Sequence, residues 1–308
     1  MPTRRFLMQA TGASALFAQF GGFTAAAAAE DQPLFKFGVV ADPQYAPAVP
    51  NLTLHRYYSN TLWKLSDAIS ILNKEDLAFV VTLGDIIDRS WESYQHILPL
   101  YDQVKAPNLF LLGNHDFAIA PEYLASVLRT TGLKAAHYDF TGGGYRFVVL
   151  DGNEISIFGS PVGSDNYKAG EARLAALKAK NAPNAQEWNG GLSDGQFAWL
   201  EATLARAQAN GEKAIVMSHF PIYPLNLEDN LLDDARLVET LGRFPNVVAY
   251  MCGHHHAGNY GQTGGKHFVN FCGMVDTPDT TAFAVVEVYR DRIEIRGTGR
   301  EPSRTLKI

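Results

Sequence analysis

Short runs of apolar residues recur along this chain, and most of them stop on an aspartate, an asparagine or a histidine. They cover residues 35–41, 77–83, 109–112, 145–150, 214–217, 247–252, 267–272, 282–289 and 292–296. The early runs are short, rich in β-branched residues and apolar on both sides. Such runs suit strands covered on both faces, as in parallel sheets packed under helices. Helical patterns lie between them. Leu54, Tyr58, Leu62, Leu65, Ile69 and Leu72 recur at helical spacing. Ser193 and Gln196 form a capping box ahead of Phe197, Leu200 and Leu204, with Gly211 as the stop. A third, shorter helix is expected over residues 233–242. Alternating strands and helices predict an α/β fold. The runs from Val247 onward follow one another closely, with Gly258, Gly261, Gly264 and Gly265 between them, and are expected to be antiparallel. Two packed sheets flanked by helices result, with the site at the carboxyl edges of the strands.

No linker, repeat or low-complexity tract interrupts residues 33–308, which read as one domain. Residues 1–29 read as a targeting segment instead. Thr3-Arg4-Arg5-Phe6-Leu7-Met8 resembles a twin-arginine export motif, a mildly apolar stretch follows, and residues 25–29 are all alanine. Export to the periplasm or medium is expected; a short uncleaved anchor is the alternative. Without this segment the chain carries 24 basic and 32 acidic residues, a net charge of −8. That balance argues against binding a nucleic acid polymer, which requires a basic face. It leaves room for a small phosphate-containing substrate, because bound cations invert the local field. Cys252 and Cys272 both fall in apolar runs. Two buried free thiols are expected, with a pairing in an oxidising compartment as the alternative.

Five motifs carry the chemistry: Asp42-Pro43-Gln44, Gly84-Asp85-Ile86-Ile87-Asp88, Gly113-Asn114-His115-Asp116, Ser218-His219-Phe220-Pro221 and Gly253-His254-His255-His256. Each supplies oxygen or imidazole donors, and nearly all follow an apolar run. Donors at several strand ends, converging from distant positions, are what a catalytic two-metal site requires. Asp42 is a hard ligand for a divalent cation. Asp85 is the choice for a ligand shared by two ions through its two oxygens. Asp88 is expected to support a neighbour rather than bind a metal. Arg89 either reaches a phosphate or lies exposed on its loop. Asn114 can ligate through its carbonyl oxygen, and His115 can give a proton to the leaving oxygen. His254 and His256, two apart on an extended segment, point the same way, and His255 points away. On this reading Asp85, Asn114, His219 and His254 hold one ion, and Asp42, Asp85 and His256 hold the other. His55, His96, His137 and His267 have no such setting and read as surface or core residues.

The order D-x-x, G-D-x-x-D, G-N-H-D, H and G-H-x-H resembles the calcineurin-like metallophosphoesterase superfamily. The resemblance spans roughly residues 35–308. It implies a four-layer α/β/β/α sandwich of two mixed sheets, with two metals bridged by one aspartate and a hydroxide. Most members carry D-x-H in the first motif, where this chain has Gln44. Asp42-Pro43-Gln44-Tyr45 is instead similar to the manganese-dependent ADP-ribose/CDP-alcohol diphosphatase group. Gly84-Asp85-Ile86-Ile87-Asp88, Gly190-Gly191-Leu192 and Ser218-His219-Phe220-Pro221-Ile222-Tyr223-Pro224 are similar too. So are the C-terminal segments around Ala282-Phe283, Val288-Tyr289-Arg290-Asp291-Arg292 and Gly297-Thr298-Gly299-Arg300. Gln44 exchanges an imidazole for a neutral amide oxygen, so its metal is expected to bind more weakly. Such an oxygen-rich set suits Mn²⁺, with Mg²⁺ or iron as alternatives.

The expected reaction is hydrolysis of a phosphoanhydride in a nucleoside diphosphate-X compound of the ADP-ribose or CDP-alcohol type. Two cations roughly 3.5–4 Å apart would hold the attacking hydroxide. The metals and Asn114 would steady the phosphate, and His115 would assist departure. Tyr45, Trp91, Phe117 and Tyr223 flank the motifs and can stack on a base, or else pack the rim or core. The alternatives are a cyclic-nucleotide phosphodiesterase or phosphomonoesterase on the same scaffold and, more distantly, a non-catalytic metal-dependent binding module. Beyond export, no membrane partner is expected.

Overall fold

Phe35–Val40 (β1) shows how the chain builds its layers. Phe35, Phe37 and Val39 face one apolar cluster while Val40 faces another, and all four are buried. The two-residue period of a strand thus meets apolar partners on both sides, which is why the run is apolar except at Lys36 near its start. Phe79–Leu83 (β2) repeats the pattern: Phe79, Val81 and Leu83 face the first cluster and Val80 the second. The computed structural model describes residues 32–308; the export segment expected over residues 1–29 lies outside them. Among the described residues no helix is long and apolar enough to cross a membrane.

The remaining strands are Asn108–Leu111 (β3), Tyr138–Gly142 (β4), Tyr145–Val149 (β5), Lys213–Met217 (β6), Val247–Cys252 (β7), Asn259–Thr263 (β8), Lys266–Asn270 (β9), Ala282–Val288 (β10), Arg292–Gly299 (β11) and Arg304–Lys307 (β12). They form two six-stranded sheets, ordered β12-β11-β10-β1-β2-β3 and β4-β5-β6-β7-β9-β8. Pairing is parallel through β1-β2-β3 and through β5-β6-β7-β9, and antiparallel elsewhere. The helices are Thr61–Leu72 (α1), Ser93–Tyr101 (α2), Val127–Thr130 (α3), Asp165–Lys178 (α4), Asp194–Ala209 (α5) and Asp234–Gly242 (α6). Leu65, Ile69 and Leu72 of α1 and Tyr94 and Ile97 of α2 cover the outer face of the first sheet. Leu200 and Leu204 of α5 and Leu237 and Leu241 of α6 cover that of the second. Between the sheets, the rings of Phe37, Phe79, Phe140 and Phe147 pack at centroid distances of 4.8–5.8 Å. Helix, sheet, sheet and helix give the α/β/β/α sandwich that the resemblance implies.

Four expectations need correction. β7 pairs parallel to both β6 and β9, so the antiparallel portion begins only at the β8-β9 hairpin. β10, β11 and β12 then leave for the other sheet. The helix read from Leu54 starts at Thr61, and Leu54 is 52% exposed. Backbone bonds from Tyr57 to Val275 and from Thr277 to His55 hold the preceding segment out of the helix. Ser193 does cap α5, its Oγ accepting the Gln196 N–H at 3.0 Å, but the reciprocal bond comes from elsewhere. Glu154 accepts the Ser193 N–H, and the Gln196 side chain reaches Asp151 and Glu154. The short helix begins at Asp234, with Asp233 as its cap residue. Both cysteines are buried and free.

Candidate metal centre

The five motifs sit just beyond the carboxyl ends of β1, β2, β3, β6 and β7. Two sheets turn these ends toward one seam, and a bond across it fixes their spacing: His219 Nδ1 lies 2.8 Å from the Leu83 carbonyl. A carbonyl only accepts, so that nitrogen carries the proton and a neutral His219 turns the lone pair of Nε2 inward. His256 is set the same way by its Nδ1, 2.8 Å from the Asp276 carboxylate. His254 is set from the opposite side. Its Nε2 lies 3.1 Å from Asn189 Oδ1, which leaves Nδ1 inward. The Asn189 amide cannot turn over, because its nitrogen donates to the carbonyls of Asn184 and Glu228. Three imidazoles therefore carry their protons on the outside and present bare nitrogens to one space.

That space is lined by oxygens as well. His219 Nε2 is 3.1 Å from His254 Nδ1, 3.2 Å from Asn114 Oδ1 and 3.4 Å from Asp85 Oδ2. On the other side, Gln44 Nε2 is 2.7 Å from Asp85 Oδ2 and 3.1 Å from His256 Nε2, and His256 Nε2 is 3.6 Å from Asp42 Oδ1. Asp85 Oδ2 thus touches both halves. Its Oδ1 is already taken by the His115 backbone N–H at 2.9 Å. A ligand shared through two oxygens was expected; the structure offers a single shared oxygen, because the second holds the next motif in place.

The electrostatics point the same way. Asp42 and Asp85 are both fully buried. Burial pushes the Asp42 carboxyl up, with Asp85 adding to the rise and the neighbouring histidines opposing it. Burial acts on Asp85 too, but His219 and His115 outweigh it and hold that carboxyl far below the usual range. Burial would lower His219, yet Asp85 and Asp42 overcome it and lift the imidazole to about 9. His254 goes the other way, pushed well down by burial and by His219. Two buried carboxylates thus draw positive charge to the ring beside them. A divalent cation answers that demand better than one proton, since the inward lone pairs of His219 and His254 face each other at 3.1 Å and repel. Asp85, His219 and His254 bring one ligand atom each within 4.8 Å of one another. This donor set fits divalent metal.

The backbone is bent to make the cluster. Asp42, Gln44, Asp85 and His254 all have left-handed backbones, with φ of 47°, 41°, 52° and 69°. Non-glycine residues there cost on the order of 1 kcal/mol or more each, and persist where surrounding structure over-determines them. His254 and His256 converge through this bend rather than by alternating along an extended segment, as their spacing suggested. Gly84 (φ 90°) and Gly113 let the ligands close in. A Cβ on Gly84 would lie 2.6 Å from His219 Nδ1, and one on Gly113 2.1 Å from Asp85 Oδ1.

Of the other expected residues, His115 lies beside the cluster. Its Nδ1 is 3.0 Å from the Asp88 carbonyl and 3.3 Å from the Asp88 carboxylate, and its Nε2, on the other side of the ring, lies 3.5 Å from Arg56 Nη1. Asp88 thus supports His115, as expected. Arg89 pairs with Asp88 and lies 5.1 Å over the Tyr58 ring. His255 points away, to Asp229. Tyr45 is a correction. It is buried in the core on the helix side, with its hydroxyl on His96, and has no free face for a base. Tyr223 packs on Phe268 at 5.0 Å and keeps partial exposure. Trp91 is stacked on Tyr123, and Phe117 packs against the core. As placed, the Gln44 amide turns its nitrogen to the cluster, and its oxygen has no partner. A ligating Gln44 presents that oxygen after the amide turns over, exchanging an N–H for a lone pair.

Motif reading missed several residues. Asn189 and Asp276 set two imidazoles but stand in loops with no spacing signal; Asn189 precedes the Gly190-Gly191 pair. Asp116, named within its motif but given no role there, is buried and accepts from the N–H groups of Ile86 and Gly113 and from Tyr94, and so ties two motifs together. Burial, then the Asp85 charge, lifts its carboxyl to about 7. Lys64 and Arg56 also touch this region.

Residues 35–258 match the model of the calcineurin-like phosphoesterase family. A mouse protein named manganese-dependent ADP-ribose/CDP-alcohol diphosphatase is 31% identical over 89% of this chain and 94% of its own length. An Arabidopsis thaliana protein of the same name is 30% identical over 88% of this chain and 96% of its own. A crystal structure of a dimetal phosphatase from Danio rerio superposes with a TM-score of 0.81 at 27% identity, covering 90% of this chain and 99% of that one. The inward-facing donors and the match over most of the chain agree: this chain belongs to the calcineurin-like phosphoesterase family.

Proposed function

We propose that this chain is a Mn²⁺-dependent hydrolase that cleaves the phosphoanhydride of nucleoside diphosphate-X compounds of the ADP-ribose or CDP-alcohol type. The observation that carries the chemistry is the set of three imidazoles holding their protons outward around Asp85 Oδ2. The substrate class is supported by the relatives' names and by Gln44 in place of the usual histidine. Asn114, His219, His254 and Asp85 would hold one ion; Asp42, Gln44, His256 and Asp85 would hold the other. When bound, the ions supply charge for the phosphate oxygens and an oxygen nucleophile that is deprotonated at neutral pH.

The protein's own groups do the rest. Leu83, Asn189 and Asp276 keep each ring in one tautomer, so no rotation is needed on binding. The Asn114 amide lies beside the phosphate position and steadies it. His115 is fixed through Nδ1–H by Asp88, so only as the imidazolium, with a second proton on Nε2, would it give a proton to the bridging oxygen as the second phosphate departs. Tyr223, partly exposed just after the His219 motif, would be the ring that meets the nucleoside. The twin-arginine-like segment supports export, with a periplasmic or secreted enzyme as the outcome.

The test is a hydrolysis panel with Mn²⁺: ADP-ribose, CDP-choline, cyclic AMP and p-nitrophenyl phosphate. The first two should turn over fastest, ADP-ribose yielding AMP and ribose 5-phosphate. Preference for cyclic AMP or for the monoester would overturn the substrate class.

A further inference from the structure

We propose that Arg56 binds the departing phosphate and so makes the site selective for diphosphates over simple esters. This rests on the diphosphatase reading above. Three arginines approach the centre, and two are already engaged. Arg89 is paired with Asp88. Arg300 donates to the carbonyls of Gly273 and His256 and lies 3.3 Å from Asp276. Arg56 has no ion pair among the described residues. The nearby Asp276 has given one oxygen to His256 and the other to Arg300. Arg56 Nη1 instead lies 3.5 Å from His115 Nε2, the nitrogen on the leaving-group side.

Its backbone is held on both flanks. Asn51 and Arg56 exchange N–H to O bonds at 2.9 and 3.0 Å, and Tyr57 N donates to Val275 O at 3.0 Å. A half-buried guanidinium on a pinned backbone, near the Asp276 carboxylate but in no ion pair with it among the described residues, keeps its N–H fork for a ligand. A guanidinium is also a fork that matches two phosphate oxygens.

The chemistry explains the selectivity. A new oxygen–phosphorus bond forms, the bond to the bridging oxygen breaks, and its electron pair stays on the departing group. When that group is an alkoxide, it needs the His115 proton. When it is a phosphate, the charge spreads over several oxygens, and a fixed cation beside His115 gains in weight. Arg56 meets those oxygens in the transition state and in the bound diphosphate.

The experiment compares wild type, Arg56→Ala and Arg56→Lys, all loaded with Mn²⁺. ADP-ribose and bis-p-nitrophenyl phosphate serve as substrates, and α,β-methylene-ADP as an inhibitor of the ester reaction. Arg56→Ala should lower kcat/KM for ADP-ribose by about 10- to 100-fold. The fall for the ester should be at least about tenfold smaller, with Mn²⁺ content unchanged. Arg56→Lys should fall between, keeping the charge and losing the fork. The inhibition constant of α,β-methylene-ADP should rise in Arg56→Ala. Equal losses on both substrates, or an unchanged inhibition constant, would overturn the proposal. A wild type that binds the inhibitor but leaves ADP-ribose intact would instead sink the diphosphatase reading, while a raised constant in Arg56→Ala would still support Arg56.

Discussion

Replacing Lys64 by methionine should loosen the metal centre from behind. Lys64 lies on α1 and is fully buried. Its ammonium, with three N–H groups, lies within hydrogen-bonding distance of four carbonyls in a row, those of Met274 (3.0 Å), Val275 (3.3 Å), Asp276 (2.7 Å) and Thr277 (2.5 Å). Burial draws the ammonium down to about 8, with Asp276 resisting. Val275 O also receives Tyr57 N–H, but the other three carbonyls have no second donor among the described residues. Methionine fills the stem's volume and donates nothing, so three carbonyls lose their partner at about 1–3 kcal/mol each. Against this, a buried charge no longer has to be kept from water. The net expectation is a loss of about 2–4 kcal/mol. The same turn carries Asp276, which sets His256, and its Met274 and Val275 N–H groups bond the carbonyls of Ala41 and Asp42. Mn²⁺ affinity should therefore fall by about 10- to 100-fold, the usual effect of losing support behind a ligand. Guanidinium denaturation followed by circular dichroism gives the first number, and calorimetric Mn²⁺ titration the second. Asp276→Asn is the control, since it spares the turn and should lower affinity with little loss of stability. A Lys64→Met protein with an unshifted midpoint and unchanged Mn²⁺ binding would refute this account.

Four further outcomes are expected. His115→Ala should cut kcat on ADP-ribose by about 10²–10⁴-fold with Mn²⁺ still bound, and near-normal turnover would remove His115 from proton transfer. Gly113→Ala should cost about 3 kcal/mol or more and weaken Mn²⁺ binding, because its Cβ would meet Asp85 Oδ1 at 2.1 Å and the Asp85 backbone nitrogen at 2.7 Å; a thermal melt with Mn²⁺ reads it. Gln44→His should bind the second ion more tightly, so that activity survives more chelator, and an unchanged chelator midpoint would count against Gln44 as a ligand. Burial raises Asp151 from 3.8 to about 6, so between those values the folded state holds more proton than the unfolded one. Its contribution is complete below pH 3.8 and is lost as pH rises through about 6. Asp151→Asn should thus gain on the wild type by on the order of 1–2 kcal/mol between pH 4 and 7, and a constant stability difference across that range would contradict it.

The core strands were legible because strands covered on both faces are largely apolar, so β1, β2, β3, β6 and β7 stand out as apolar runs with few polar positions. The edges were not. β4 spans Tyr138–Gly142 with two of its five positions away from the core, and Asp139 on it pairs with Arg146 and Arg206. β12 has four residues, only one of them buried. Among the helices, α4 buries only Gly170 and Leu174, too few for a clear stripe. α2 contains Pro99, which reads as a breaker. Parallel pairing of β7 with β9 was hidden because β8, adjacent in sequence, pairs only at the sheet edge. At the site, the inward-facing donors were legible as polar residues after apolar runs. Their supports were not, because Leu83 contributes a carbonyl and Asn189 and Asp276 come from irregular loops. Tyr45 was misread for a related reason: proximity to a motif in sequence does not say which way a ring turns.

The placement of the centre follows from what a single sheet cannot do. One parallel sheet turns all its carboxyl ends to one edge, but a ligand set drawn from it alone would have no wall opposite. Here the second sheet supplies that wall. His219 on β6 bonds the Leu83 carbonyl of β2, and the His254 N–H meets both oxygens of Asp42 after β1. These bonds cross between sheets whose separation is set by the phenylalanine layer between them. Bent backbones at Asp42, Gln44, Asp85 and His254 are tolerable because each is held from both sides. A change in that layer, such as Phe147→Leu, should therefore disturb metal affinity as well as stability, although Phe147 packs between the sheets. If Phe147→Leu lowered the melting temperature while leaving Mn²⁺ affinity untouched, the seam would not depend on sheet spacing, and the cross-sheet bonds alone would have to carry the geometry.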